Sequence, residues 1–173
     1  NDLSFMPPEA KKVYEENGSL LELMLGSPTE VVFSGEYEWL LDADGEHVHY
    51  QPEGYMGRYI VVDVKYEDFK ERLSEFCTER EIARVLRGFR NYNGYLAAED
   101  ADGPLSGFEN DGNMELYDVY TVNDEQITFL YVSGTDGESK VGHLIELVKE
   151  NGVWKFNYVE YSSISGGKIN FSS

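Results

Sequence analysis

The chain has 173 residues, 41% hydrophobic and 14% aromatic, enough apolar surface for one domain with a full core and too much for a disordered acidic tail. Its 33 Asp and Glu against 14 Lys and Arg leave a formal charge of −19, which repels phosphate backbones and anionic head groups and so disfavours nucleic acid and membrane surfaces as partners. A basic protein, a cationic surface or calcium would be attracted instead, and solubility alone is a sufficient default reason for the acidity.

Pro7-Pro8-Glu9-Ala10 starts a helix, and Ala10, Val13, Tyr14, Leu21, Met24 and Leu25 keep helical spacing until Gly26-Ser27-Pro28 stops it. Whether residues 1–27 hold one helix or two is open at Asn17-Gly18, because Ser19 and Glu22 have the spacing of a second capping box. Residues 36–41 and 47–50 flank the turn-rich Asp42-Ala43-Asp44-Gly45-Glu46 and read as a hairpin; residues 58–64 read as a largely buried strand. Two short helices follow. In the first, Phe69, Leu73, Phe76 and Cys77 make one apolar face; in the second, Thr78 and Glu81 have capping-box spacing, Ile82, Leu86 and Phe89 form the apolar stripe, and Arg80, Arg84 and Arg87 a separate basic one.

Residues 65–90 hold seven of the fourteen basic residues, and no Lys or Arg then occurs between Arg90 and Lys140. Residues 92–113 read as a long loop mixing Tyr92, Tyr95, Leu96, Leu105 and Phe108 with Glu99, Asp100, Asp102 and further acids, and loops of this length often bind. Whether Leu105 and Phe108 are exposed or tuck into the core is left open. Residues 114–122, 126–133, 141–150 and 153–161 alternate as strands with short turns between them, a four-strand antiparallel meander. Helices first and a meander last give the α+β class: an N-terminal helical layer packed on a curved antiparallel sheet, in a single domain spanning 1–173. The Gly-rich residues 165–167 after the last strand read as part of a terminal strand or tail, since no helix follows to hold a phosphate.

Motifs for chemistry are sparse. Asp100-Ala101-Asp102-Gly103 and Asn110-Asp111-Gly112-Asn113 alternate oxygen ligands as calcium loops do, but the twelfth residue from Asp100 is Asp111, not Glu, and Pro104 intrudes, so Asx turns are the expectation. His47 and His49 share one strand face, yet His143 is remote in sequence and no Cys pair exists, so no zinc site is expected. Cys77, the single cysteine, reads as a small buried hydrophobe at a helix end, no Gly-x-Ser-x-Gly elbow occurs, and the abundance of acids removes specificity from any carboxylate pair. Trp154 is expected to pack under the sheet. No catalytic residue, metal or cofactor is expected. No run of eighteen apolar residues occurs, so no membrane insertion is expected.

From residue 66 onward, Phe69, Leu73, Phe76, Thr78, Ala83, Tyr92, Gly94, Leu96, Ala101, Asp102 and Gly103 carry a resemblance. Over this middle third the chain resembles the DL-endopeptidase inhibitor family of Gram-positive bacteria, secreted proteins that block cell-wall hydrolases, and more loosely nuclear-transport-factor-2-like α+β domains. The high acidity and the aromatic hairpin around Trp39 depart from that pattern. The resemblance implies a secreted or surface-anchored monomer, trimmed of a signal peptide or lipoprotein leader, that occludes a peptidoglycan hydrolase sterically. Tyr92, Tyr95, Glu99, Asp100, Asp102, Leu105 and Phe108 would make the contact. The alternative is a ligand-binding or scaffold domain of a surface lipoprotein, with Tyr117, Phe129 and Tyr131 lining a pocket on a concave sheet face.

Overall fold

The computed structural model describes residues 3–100, 115–134, 140–165 and 168–169. Pro7 and Pro8 set the entry to helix α1 (Pro8–Gly26), which runs unbroken through Asn17 and Gly18. Gly18 is buried on the helix face turned to the meander, where a Cβ would meet the Tyr14 ring at 3.5 Å and Phe156 at 3.7 Å, ordinary contact distances that a small side chain would also satisfy. The second capping box does not form: Asn17 donates to the Val13 carbonyl at 3.1 Å, and the Glu22 carboxylate faces His143 on a distant strand. The helix stops at Ser27, as the Gly-Ser-Pro sequence indicates, and a one-turn helix α2 (Glu30–Phe33), absent from the sequence reading, follows.

A four-stranded antiparallel sheet comes next in space, built from β1 (His49–Tyr50), β2 (Arg58–Lys65), β3 (Phe89–Tyr92) and β4 (Tyr95–Asp100) in the order β1-β2-β4-β3. The expected hairpin before β2 is irregular: Leu41 bridges His47, and the Asp42 carboxylate accepts from the Asp44 and Glu46 amides at 2.9 Å. The loop expected at 92–113 is corrected at its start. Tyr92, Tyr95, Glu99 and Asp100 sit on strands β3 and β4, joined by Asn93-Gly94 with φ of 50° and 90°, the left-handed pair of a two-residue hairpin turn. Asp102, Leu105 and Phe108, with the possible calcium loops, lie outside the described residues.

Helices α3 (Tyr66–Phe76) and α4 (Glu79–Val85) fill the interval between β2 and β3 and bury Phe69, Leu73, Phe76, Ile82 and Val85. Half of the capping box holds. Thr78 Oγ1 accepts from the Glu81 amide at 3.3 Å, but the Glu81 side chain turns inward and Thr78 N donates to the Phe156 carbonyl at 2.9 Å. Cys77 caps α3, fully buried, and burial pushes its thiol far above the ordinary range.

The meander is present with a fifth member: β5 (Glu115–Val122), β6 (Gln126–Ser133), β7 (Lys140–Glu150), β8 (Val153–Ser165) and β9 (Lys168–Ile169) lie in sequence order. Asn151-Gly152, with φ of 52° and 81°, turns β7 into β8. Register shifts in β5–β6 and β7–β8 bend this sheet. The fold is therefore α+β with antiparallel sheets. One core runs through it: Phe129, Ile145, Leu147, Trp154 and Phe156 of the meander join Leu21 and Met24 of α1 and Leu73 and Phe76 of α3, while Ile60, Val62, Leu96 and Ala98 join from the four-stranded sheet. Trp154 packs inside, as expected.

Candidate functional site

The four-stranded sheet turns Ile60, Val62, Leu96 and Ala98 to the core, so strand alternation sends Tyr59, Val61, Tyr95, Ala97 and Glu99 to its other face. Direct cross-strand partners share a face, which adds Tyr50 opposite Tyr59, Arg90 opposite Ala97 and Tyr92 opposite Tyr95. With Tyr55 from the β1–β2 connection, five tyrosines gather on one outer face. Tyr50 and Tyr92, from opposite edges, stack with centroids 4.9 Å apart, which the small Ala97 and Val61 between them permit. Tyr50 and Tyr55 each lie 5.9 Å from the Tyr59 ring. Tyr59 is buried; the other four rings are half-buried, with part of each left at the surface.

Charged groups fix the rim. Arg90 Nε donates to the Tyr59 hydroxyl at 3.0 Å and its guanidinium lies 5.3 Å from that ring; Lys65 Nζ sits 3.8 Å from the Tyr95 centroid; Arg58 pairs with Asp100 at 3.4 Å. Tyr55 donates to the Glu99 carboxylate, and that hydrogen bond pushes the Tyr55 phenol up to about 12. Lys65, Arg90 and Glu99 lie on this face, whereas Arg58 and Asp100, one residue out of phase with Tyr59 and Glu99, lie on the other side of the sheet at its edge. The structure thus brings Tyr92, Tyr95, Glu99 and Asp100 together on one sheet. Tyr50, Tyr55, Tyr59 and Arg90 were missed as site residues; the Asn-Gly turn at 93–94 was the signal that would have placed them, by turning the supposed loop into a hairpin.

Other clusters have structural work. Glu81 is fully buried, and burial raises its carboxyl above the ordinary value even though Arg84 pulls the other way with bonds of 2.7 and 2.9 Å. Arg84 also donates to the Val159 carbonyl at 3.1 Å and lies 4.2 Å from the Tyr158 ring, with Arg80 at 5.2 Å from it, so much of the expected basic stripe is engaged in docking α4 onto β8. Ser133 Oγ stands 2.7 Å from His143 Nε2, and His143 Nδ1 stands 3.2 Å from the Glu22 carboxylate. This Ser-His-carboxylate row was not foreseen. Ser133 and His143 are only 4% and 3% exposed and lie under α1, where the row ties helix to meander.

His47 stacks on Trp39 at 4.2 Å, with His49 6.0 Å from the same ring, and among the described residues no three His, Cys, Asp or Glu side chains form a metal-ligand group. Of the residues expected to line a concave pocket, Phe129 and Tyr131 are buried against Tyr14, whereas Tyr117 is 67% exposed. No described helix is long and apolar enough to cross a membrane. No protein-family profile matches the chain, and no curated protein matches it in sequence.

Proposed function

We propose that the chain is a non-catalytic, extracellular or surface-anchored binding protein that engages a protein partner through the tyrosine face, with cell-wall DL-endopeptidases as the target class. The observation that carries the reading is the gathering of Tyr50, Tyr55, Tyr59, Tyr92 and Tyr95 on one sheet face, four of them half-exposed. Tyrosine supplies large, rigid contact area at low entropic cost together with a polar tip, and partner-binding surfaces are enriched in it for that reason. The rim bonds of Arg90, Lys65 and Glu99 hold rings in place before a partner arrives, which lowers the ordering cost of association. The pocket reading is less well supported, because the side chains of Phe5 and Tyr14 pack on Phe129, at 5.4 Å each, where a ligand would sit.

The test measures hydrolysis by a panel of DL-endopeptidases with the protein present, at low and high salt, for the native chain and for a Tyr50→Ala, Tyr92→Ala double variant. The expected result is inhibition weakened by salt, as charge steering requires, and reduced at least about tenfold in the variant, the loss typical of removing central aromatic anchors. Inhibition undiminished in the variant would remove the tyrosine face from the reading. No inhibition of any enzyme would remove the hydrolase.

A further inference from the structure

On the opposite side of the four-stranded sheet from the tyrosines, α3 and α4 leave an open groove of about 580 Å³ between them. Its origin lies in the amphipathic pattern. α3 turns Phe69, Leu73 and Phe76 inward, so Glu67 and Glu71 form the outer wall; α4, separated from α3 by Cys77 and Thr78, supplies Glu79 at the rim and, with Leu86 that follows it, Ile82 and Ala83 at the floor. Ile82 is nearly covered, Leu86 half-covered and Ala83 exposed, and the small side chain of Ala83 leaves the room. Three carboxylates therefore ring an apolar floor, with Lys70 the one opposing charge in the lining.

We infer that this groove docks a short, basic, amphipathic helix of a partner protein, independently of the tyrosine face. Charge complementarity selects the sign: three rim carboxylates and a whole-chain charge of −19 attract Lys and Arg. The apolar floor selects aliphatic side chains at helical spacing between those charges. Secondary structure selects the conformation. Both walls are helices whose inner main-chain groups are already bonded within the turn, so they offer no strand edge to an extended peptide, and a helix, bonded internally, needs nothing from the walls but side-chain contact.

Titration calorimetry with two synthetic 14-residue peptides of identical Leu and Lys content tests this, one with Leu at helical spacing and one with Leu alternating. The helical isomer binds the native chain; Ala83→Phe, which fills the groove without changing charge, and the pair Glu71→Lys, Glu79→Lys each weaken it at least about tenfold. The pair Glu16→Lys, Glu115→Lys, equal in net charge and placed elsewhere on the exposed surface, changes affinity less than about twofold, since exposed remote charges are screened. Thermal unfolding checks each variant, and if Ala83→Phe does not fold, the rim pair carries the test. Equal binding of both isomers, equal weakening by the control pair, or no binding of the helical isomer overturns the proposal. Peptide binding that survives Tyr50→Ala, Tyr92→Ala separates this groove from the tyrosine face, so either can fail alone.

Discussion

Tyrosines serve two opposite ends in this molecule. Tyr14 and Tyr131 lie between α1 and the meander with Phe129 and Phe156, and burial raises the Tyr14 phenol far above its ordinary range, with Glu22 adding to the shift. Tyr50, Tyr55, Tyr92 and Tyr95 lie on a sheet face over which they themselves form much of the cover, together with Leu40 and Val48. A ring under a helix stabilises by excluded water and close packing; a ring at an unfinished sheet face shields the strands beneath and remains available to something else. Local sequence does not separate the two sets, since all but Tyr55, on the β1–β2 connection, come from strands or helices of ordinary amphipathic pattern. What separates them is whether a helix crosses overhead.

Substitutions graded by that cover sharpen the contrast. Phe156→Ala, at a fully buried ring facing Tyr14 and Gly18, costs about 3–5 kcal/mol of stability in denaturant unfolding, the range for emptying a large aromatic site. Arg84→Ala leaves the Glu81 carboxylate buried without its partner and costs about 3 kcal/mol, towards the lower end of broken buried pairs because Arg84 keeps some solvent contact. Glu81 also sets a pH dependence in the native chain. Its folded-state carboxyl titrates above the unfolded one, so as pH falls through the folded value the native state takes up the proton first and gains stability, a gain complete once pH is below the unfolded value. Unfolding curves across that window should show this acid-side gain shrink in Glu81→Gln.

Tyr92→Ala on the outer face removes a stacked, partly covered ring and costs about 1–3 kcal/mol, the stacking together with part of a full burial, below Phe156→Ala. A loss as large as that of Phe156→Ala would mean that the outer face is core and not a binding surface. Arg58→Ala, removing an exposed pair with Asp100, shifts the unfolding midpoint by an amount equivalent to less than about 0.5 kcal/mol.

Much of the fold was legible before the structure. The meander turns at Asn123 and Asn151-Gly152 fall where the sequence places them, because Asn side chains bond the following amides and Asn-Gly tolerates the left-handed region. The same chemistry at Asn93-Gly94 went unread, since the long acidic stretch after it suggested a loop, and the tyrosine sheet was hidden with it. α1 was ambiguous because Asn17, Gly18 and Ser19 all weaken a helix locally, while Phe156, far away in sequence, is what Gly18 packs against. Spacing alone reads Glu22 and Glu81 as capping residues; in the fold Glu22 meets His143, 121 positions along the chain and so without trace in local spacing, whereas Glu81 meets Arg84 at i+3, a pair that helical spacing does offer.

The amino-acid order alone determined the α+β class, the antiparallel meander, the two-helix insertion and the acidic surface, since each follows from side-chain periodicity, turn chemistry and charge counted along the chain. Tertiary structure decided which sheet face α1 covers, and so which tyrosines became core and which became surface. It also decided that α3 and α4 meet with an apolar floor between acidic walls. Both outcomes depend on contacts between residues remote in sequence, whose free energy exceeds the local preferences that a single stretch of chain can express.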